Sequence, residues 1–364
     1  MFYNFFFRIS RLDKANFMSI TYEKAGVSIK KEEKSIKKIT DLIKGTYKFR
    51  ANKIGEYVPT PGHYANLVEV NGRLFGLCTD GVGTKVLIAQ MMDSYASTAI
   101  DMIAMNVNDM ICVGAEPLAL VNYFAFESYN EKISSEVAKG LYEGSKQANI
   151  AIIGGETATL KGVITGYKGR GYDIAGTCLG VVDKDRLVMG DKIKKGDAII
   201  GIQSSGIHSN GLTFARKVFL EKNSVHDVLF DKKPIGEILL TPTIIYVKPI
   251  MKIIKNNFED IHGLFHITGS GFLNLTRLNK EVGFEIQRLL PIPRVFDEIQ
   301  RRGQVSDEEM FRTFNMGVGF VVVASQPEQI LKIIRRYGLK ADVIGVVTGN
   351  KCKVEIKEKG IILG

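Results

Sequence analysis

An apolar, alternating stretch from Asn66 to Val70 meets a second from Arg73 to Thr79 across Asn71-Gly72, and the chain then runs directly into Thr79-Asp80-Gly81-Val82-Gly83-Thr84-Lys85. Asn-Gly supplies the two positive-φ residues of a type I′ turn, so the pattern predicts a β-hairpin. The hairpin must therefore end on a turn that carries a carboxylate, two glycines and a lysine. Gly81 and Gly83 let backbone amides approach an anion, Asp80 can hold a divalent cation, and Lys85 can meet a phosphate. The spacing is neither that of a Walker A loop nor G-x-G-x-x-G, and a plain charged turn fits it equally well.

Four further segments repeat this design of small residues beside polar ones. Asn106-Val-Asn108-Asp109, followed by Gly114-Ala-Glu-Pro-Leu118, lies on a predicted helix containing Ala96, Ile100, Ile103, Ala104, Val107 and Ile111. Asp101 and Asn108 share one face of that helix with Asp109 at its edge, either toward solvent or around a cation. Ile150 to Ile153 reads as a buried strand ending in Gly154-Gly155-Glu156-Thr157, which places Glu156 at a strand end. Asp80, Asp109 and Glu156 together would suit Mg²⁺. Ser204-Ser205-Gly206-Ile207-His208-Ser209-Asn210-Gly211 stands between a strand at Ala198 to Ile202 and a helix at Leu212 to Leu220. It is an anion site with His208 as acid or base, or a capping loop around a structural histidine. His266-Ile-Thr268-Gly269-Ser-Gly271 is another strand-end turn, paired with Thr313-Phe-Asn-Met-Gly317-Val-Gly319.

The rest of the chain sets the frame. A lysine-rich helix is predicted over Ile29 to Ile43, with Ile29, Ile36, Ile39, Leu42 and Ile43 as its stripe, and a loop over Ala51 to Ala65. Strands are expected at Leu118 to Phe126, Ile174 to Val182, Val318 to Val323 and Val343 to Val347. Helices are expected at Glu131 to Gln147, Thr243 to Ile254 and Pro327 to Tyr337. The polar stretch Asp183 to Lys195 divides the chain, giving domains at 18–185 and 186–364 of α+β class. Residues 1–17 lack the features of a secretory signal, and translation is expected to begin at Met18.

Of the net charge of +10, residues 1–53 carry +8, from 13 Lys/Arg against 5 Asp/Glu. The basicity belongs to an arm, which reads as a solvated helix or as a contact for phosphates or nucleic acid. The arm has no aromatic platform pattern and the remainder is nearly neutral, which disfavours a nucleic-acid binder. The four cysteines form no C-x-x-C, a pattern of free thiols in a reducing, cytoplasmic setting. No apolar run reaches 18 residues, so no membrane span is expected.

These segments, with Tyr22-Glu-Lys-Ala-Gly-Val27 and Tyr172 to Val182, resemble in order the phosphoribosylformylglycinamidine cyclo-ligase (aminoimidazole ribonucleotide synthetase) family of purine biosynthesis. The resemblance spans about residues 20 to 320. It implies a two-domain ATP-binding synthetase fold, with N-terminal mixed sheets pairing across a homodimer into a barrel and an α/β C-terminal domain outside. It implies ATP, Mg²⁺ and often a monovalent cation such as K⁺, with formylglycinamidine ribonucleotide as substrate. By the same resemblance, Asp80, Asp109 and Glu156 are nucleotide–Mg²⁺ ligands. Gly81, Gly83, Thr84, Lys85, Gly154 and Gly155 line the nucleotide, and Lys44 of the arm folds over ATP. Ser204, Ser205, His208, Ser209 and Asn210 belong to the substrate and phosphoryl-transfer site, and His266 and Thr268 support the substrate phosphate or the interface. The chain departs from the family's bacterial glycine run at Ile54 to Tyr64, making His63 an extra candidate contact, and also at residues 157–171 and at Ser270. Selenophosphate synthetase, a relative of this family, expects a catalytic cysteine or selenocysteine near its N-terminus, and this chain has no cysteine before Cys78.

Overall fold

A computed structural model describes residues 29–364, with side chains described from residue 36 onward. The expectations for residues 1–17, Met18 and the segment Tyr22 to Val27 lie outside the described residues.

The lysine-rich helix α1 (Ile29–Lys44) precedes a short strand β1 (Glu56–Val58), so the stretch expected to be all loop contains a strand. β1 pairs antiparallel with β2 (Asn66–Val70), where alternating side chains find a partner. β2 turns into β3 (Arg73–Gly81) as expected, with φ of 51° at Asn71 and 83° at Gly72. Helices α2 (Lys85–Met92) and α3 (Ala96–Cys112) follow, then β4 (Glu116–Phe126), α4 (Glu131–Ala148), β5 (Ala151–Thr159) and β6 (Tyr172–Val182). The first sheet has the order β1-β2-β3-β6-β4-β5.

One face of this sheet is covered by α3. Glycines make the close approach possible. A Cβ at Gly76 or Gly180 would lie 2.5 or 2.6 Å from the Met110 sulfur, and one at Gly176 would lie 2.3 Å from that of Met102. Met102, Asn106 and Met110, spaced by four, thus form a ridge over a row of small residues. The opposite face is open: Leu77, Leu118, Val121, Tyr123 and Ile153 are 40–68% exposed. β5 is an edge strand and largely exposed, so the buried reading of Ile150 to Ile153 is overturned.

The second half begins with β7 (Ala198–Gln203) and α5 (Leu212–Leu220), continues through the small hairpin β8 (Val228–Phe230) and β9 (Lys233–Pro234), and then α6 (Ile235–Leu239) and α7 (Val247–Asn257). α7 starts four residues later than expected because Thr243 to Tyr246 is irregular and bonded sideways to α3. Then come β10 (Ile261–His266), β11 (Gly283–Ile286), α8 (Arg294–Gly303), α9 (Asp307–Thr313), β12 (Val318–Ala324), α10 (Pro327–Arg336), β13 (Ala341–Thr348), β14 (Val354–Ile356) and β15 (Ile361–Leu363). The second sheet has the order β10-β12-β7-β13-β11-β14-β15. One hydrophobic core runs through both halves. Among the described residues no helix is long and apolar enough to cross a membrane.

Candidate active site at the seam of the two halves

α3 is the axis of the seam. Its Asn108 donates to the Ile244 carbonyl (2.9 Å) and accepts from the Tyr246 amide (2.9 Å). Its Asp101 accepts from both the amide and the hydroxyl of Thr243, each at 2.7 Å. Asp101 therefore faces neither solvent nor a cation; it is fully buried and ion-paired with Lys85 at 2.7 Å. Lys85 also donates to the carbonyls of Thr241 (2.7 Å) and His208 (3.3 Å). Burial lowers the Lys85 pKa, and Asp101 opposes the shift. The expected phosphate contact of Lys85 is thus corrected: its ammonium is saturated inside the protein and holds the two halves together.

Beside this lock lies the acidic cluster. β3 carries Asp80 on the face toward α3, and α3 carries Asp109. Asp109 Oδ1 is 2.8 Å from Nδ1 of His266, a buried residue at the end of β10. Asp80 accepts from the Gly81 amide at 2.7 Å. Burial first, then the charge of Asp109, pushes the Asp80 carboxyl up to about 6, against the Gly81 bond and His266. Two hard carboxylates that repel each other in a partly buried place fit a divalent cation, which relieves that repulsion.

Glu156 does not join them. Asp80 pairs across to Gly176, Gly176 to Asn122, and Asn122 to Gly155, so Glu156 is three strands away. At ~4.8 Å per strand spacing that is about 14 Å. Glu156 is also mid-strand rather than at a strand end, and opposite Tyr123 it shares the open face, whereas Asp80 shares the α3 face. Asp80, Asp109 and Glu156 therefore do not form one carboxylate set within one chain. Among the described residues no group of three or more His, Cys, Asp and Glu is placed to hold a metal ion. A Cβ at Gly155 would lie 2.3 Å from the Asn122 carbonyl, so Gly155 serves strand packing, while Gly154 has open space beside it.

The loop Ser204 to Gly211 closes the seam from the other side, and its side chains are mostly engaged by the scaffold. Ser204 donates to Asn315 Oδ1 (2.8 Å), Ser205 donates to the Pro242 carbonyl (2.5 Å), and the Ser209 and Thr243 hydroxyls are 3.1 Å apart. Asn315 donates on to the carbonyls of Gly206 and Ile207, a role the sequence does not signal beyond marking a turn. His208 has φ of 65° and is 2% exposed, and its Nε2 accepts from the Ser205 amide at 3.1 Å. Burial, then the charges of His266 and Lys85, lower its pKa well below the ordinary value. Of the two readings of His208, the bond at Nε2 supports the structural one, while its Nδ1 is buried without a hydrogen-bond partner. Asn210 remains at the seam, with its Oδ1 3.1 Å from where a Gly269 Cβ would stand. Thr268 donates to Asn274 at 3.4 Å. Gly83 has a left-handed φ of 66° and space beside it, and Thr84 meets Thr213 hydroxyl to hydroxyl at 2.9 Å. Lys44 stands exposed on α1, 4.0 Å from Asp41.

Residues Pro61 to Tyr64 form a strap that sequence reasoning did not assign. Arg277 donates to the carbonyls of Gly62 (3.0 Å) and His63 (3.4 Å), and its guanidinium lies 4.1 Å from the Tyr64 ring centre. His63, an extra candidate contact in the sequence, donates Nε2–H to the Val188 carbonyl at 2.7 Å. Burial lowers its pKa to about 4, the Val188 bond opposes this, and the Arg277 charge adds to it. The unfolded chain takes up this proton below about 6.5 and the folded protein only below about 4. Between those values the unfolded state binds more protons, so stability falls as pH falls, by about 1.4 kcal/mol per pH unit and roughly 3 kcal/mol in all. The buried His208 acts in the same direction. Urea unfolding from pH 7 to pH 4 will show this loss, and His63→Gln will flatten it; an unchanged slope would place the His63 proton elsewhere.

Comparison with known proteins agrees with this architecture. Residues 62–182 match the family described as AIR synthase related protein, N-terminal domain, and residues 194–357 match its C-terminal domain. The chain belongs to this family. It is 49% identical over 346 residues to the phosphoribosylformylglycinamidine cyclo-ligase of Pyrococcus horikoshii, covering 94% of this chain and 100% of that one. It is 47% identical over 359 residues to the protein of the same name from Methanocaldococcus jannaschii, covering 94% and 99%. Among solved structures, AaThiL complexed with AMPPCP and TMP superposes with a TM-score of 0.60 at 16% identity, over 89% of this chain and 93% of that one. T. maritima PurL complexed with FGAR gives 0.58 at 16% identity, over 87% and 49%. At such identity the structures establish a shared fold.

Proposed function

We propose that this chain is an ATP-dependent cyclo-ligase that closes formylglycinamidine ribonucleotide to aminoimidazole ribonucleotide, releasing ADP and phosphate. The observation that carries this is identity near one half along essentially the whole length of cyclo-ligases, joined to an acidic cluster at the seam of both halves. An amide oxygen is a poor leaving group. Its transfer onto the γ-phosphorus of ATP gives an iminophosphate and ADP, and the neighbouring ring-closing nitrogen then displaces phosphate. The first step needs charge neutralised along the phosphates more than covalent help from the protein. The second needs proximity and a proton acceptor.

Asp80 and Asp109 hold Mg²⁺, whose charge supports the nucleotide phosphates. His266 orients Asp109 through its Nδ1 bond. Gly83 and Thr84 offer backbone amides to the nucleotide, and Gly81 lets the backbone approach it. Asn210, Thr268 and the amides at the start of α5 receive the ribonucleotide phosphate, while Lys44 of the arm covers ATP. The open sheet face with Leu77, Val121 and Tyr123 pairs with a second copy into the barrel of a homodimer, and Glu156 then faces the partner rather than its own Asp80. Incubation with formylglycinamidine ribonucleotide, ATP, Mg²⁺ and K⁺ tests the reading: aminoimidazole ribonucleotide and ADP form one to one. ADP without that product would reject the substrate, and neither product would reject the activity.

A further inference from the structure

Cys78 of β3 and Cys178 of β6 are directly opposed in an antiparallel ladder. Directly opposed residues point to the same face, here the one beneath α3. Their Cα atoms stand about 4.5 or 5.5 Å apart according to the kind of pair. Both separations fall inside the window of roughly 4.4–6.8 Å found for disulfide Cα atoms, and the Cβ atoms, about 4.5–5.5 Å apart in opposed residues, must close by up to about 1 Å to reach the roughly 3.5–4.5 Å that the bond takes. Gly76 and Gly180 follow on one side of the pair and Gly176 on the other, so no bulky neighbour separates the sulfurs along the row. Cys78 is partly exposed and Cys178 is buried, and both are free thiols. Cys78 donates to the Asn106 carbonyl at 3.2 Å, a bond to a helix backbone that its oxidation would release.

We propose that Cys78 and Cys178 are a modification site: a reversible cross-strand disulfide, formed by exchange with a low-molecular-weight disulfide, that staples the two central strands under Asp80. The Cys78 thiolate attacks one sulfur of the small disulfide, whose S–S bond breaks, and the departing thiolate takes up a proton. Cys178, after losing its proton, attacks the Cys78 sulfur of the mixed disulfide and expels the second small thiol. Two protein thiols are oxidised, one small disulfide is reduced to two thiols, and protons balance. Cys178 is buried and Cys78 only partly exposed, so exchange is slow and the staple forms under sustained oxidising conditions. It closes a loop of roughly 100 residues, and the constraint that a cross-link places on the unfolded chain grows with loop length.

The test uses the full chain with Cys352→Ser, which removes the exposed thiol. It is incubated with oxidised glutathione, alkylated in denaturant and digested. The expected result is a peptide linking Cys78 to Cys178 that is lost on reduction, with two thiols protected from alkylation. The thermal midpoint should rise by roughly 5 °C or more before reduction and return after it. Cys178→Ala must abolish both the linked peptide and the shift; should it fold poorly, Cys78→Ala serves the same purpose. Three free thiols after prolonged oxidation, or glutathione adducts without the link, would overturn the proposal.

Discussion

Asp80→Asn is expected to lower turnover by at least about 10²-fold while leaving the protein folded, because in the proposed function it removes one of the two carboxylates that would hold Mg²⁺ against the nucleotide phosphates. The same change should not cost stability. In the unliganded protein the Asp80 carboxyl is pushed up to about 6 by burial and by Asp109. The unfolded carboxyl titrates near 3.8, so at pH 7 the ionised side chain opposes folding, and its neutral replacement relieves up to about 3 kcal/mol of strain. The asparagine keeps an oxygen for the Gly81 amide. Steady-state kinetics and urea unfolding on one preparation check both halves. Wild-type turnover would remove Asp80 from the metal site, and a large loss of stability would make its role structural.

The largest stability effect is expected at Lys85 and Asp101. Both side chains are fully buried and 2.7 Å apart, and each carries further bonds across the seam. Asp101→Asn leaves a buried ammonium without its counter-charge, a loss of about 3–5 kcal/mol. Lys85→Met strands the carboxylate at a similar cost. The double variant Lys85→Met with Asp101→Leu removes both charges and should recover much of the loss, because paired burial is itself expensive. Additive losses in the double variant would show that the two groups act independently and that the seam is held by other contacts.

The pattern of strands and helices was legible because local chemistry specified it. Asn71-Gly72 fixed one hairpin, and the apolar stripe from Ala96 to Ile111 fixed the helix on which the site is built. Motif order pointed to Asp80 and Asp109, and the structure brings both to His266. What the sequence could not show was the direction of each polar side chain. Lys85 and the serines at 204, 205 and 209 sit in motifs rich in phosphate-friendly residues, yet the Lys85 ammonium is consumed by carbonyls across the seam and the serine hydroxyls by Asn315, the Pro242 carbonyl and Thr243 within the second half. Glu156 failed for a topological reason: adjacency in motif order does not reveal that β6 and β4 lie between it and Asp80. Arg277 lacked any local signal, and for Asn315 the sequence marked only a turn, since the Gly62, His63, Gly206 and Ile207 carbonyls that they bind are more than 100 residues away.

The central claim is that ATP turns an amide oxygen into a phosphate leaving group at this seam. Formylglycinamidine ribonucleotide labelled with ¹⁸O in its formyl group tests it in a single turnover. The account requires the label to appear in inorganic phosphate as aminoimidazole ribonucleotide forms, and Asp80→Asn to suppress both together. Label recovered in water, with unlabelled phosphate, would contradict it.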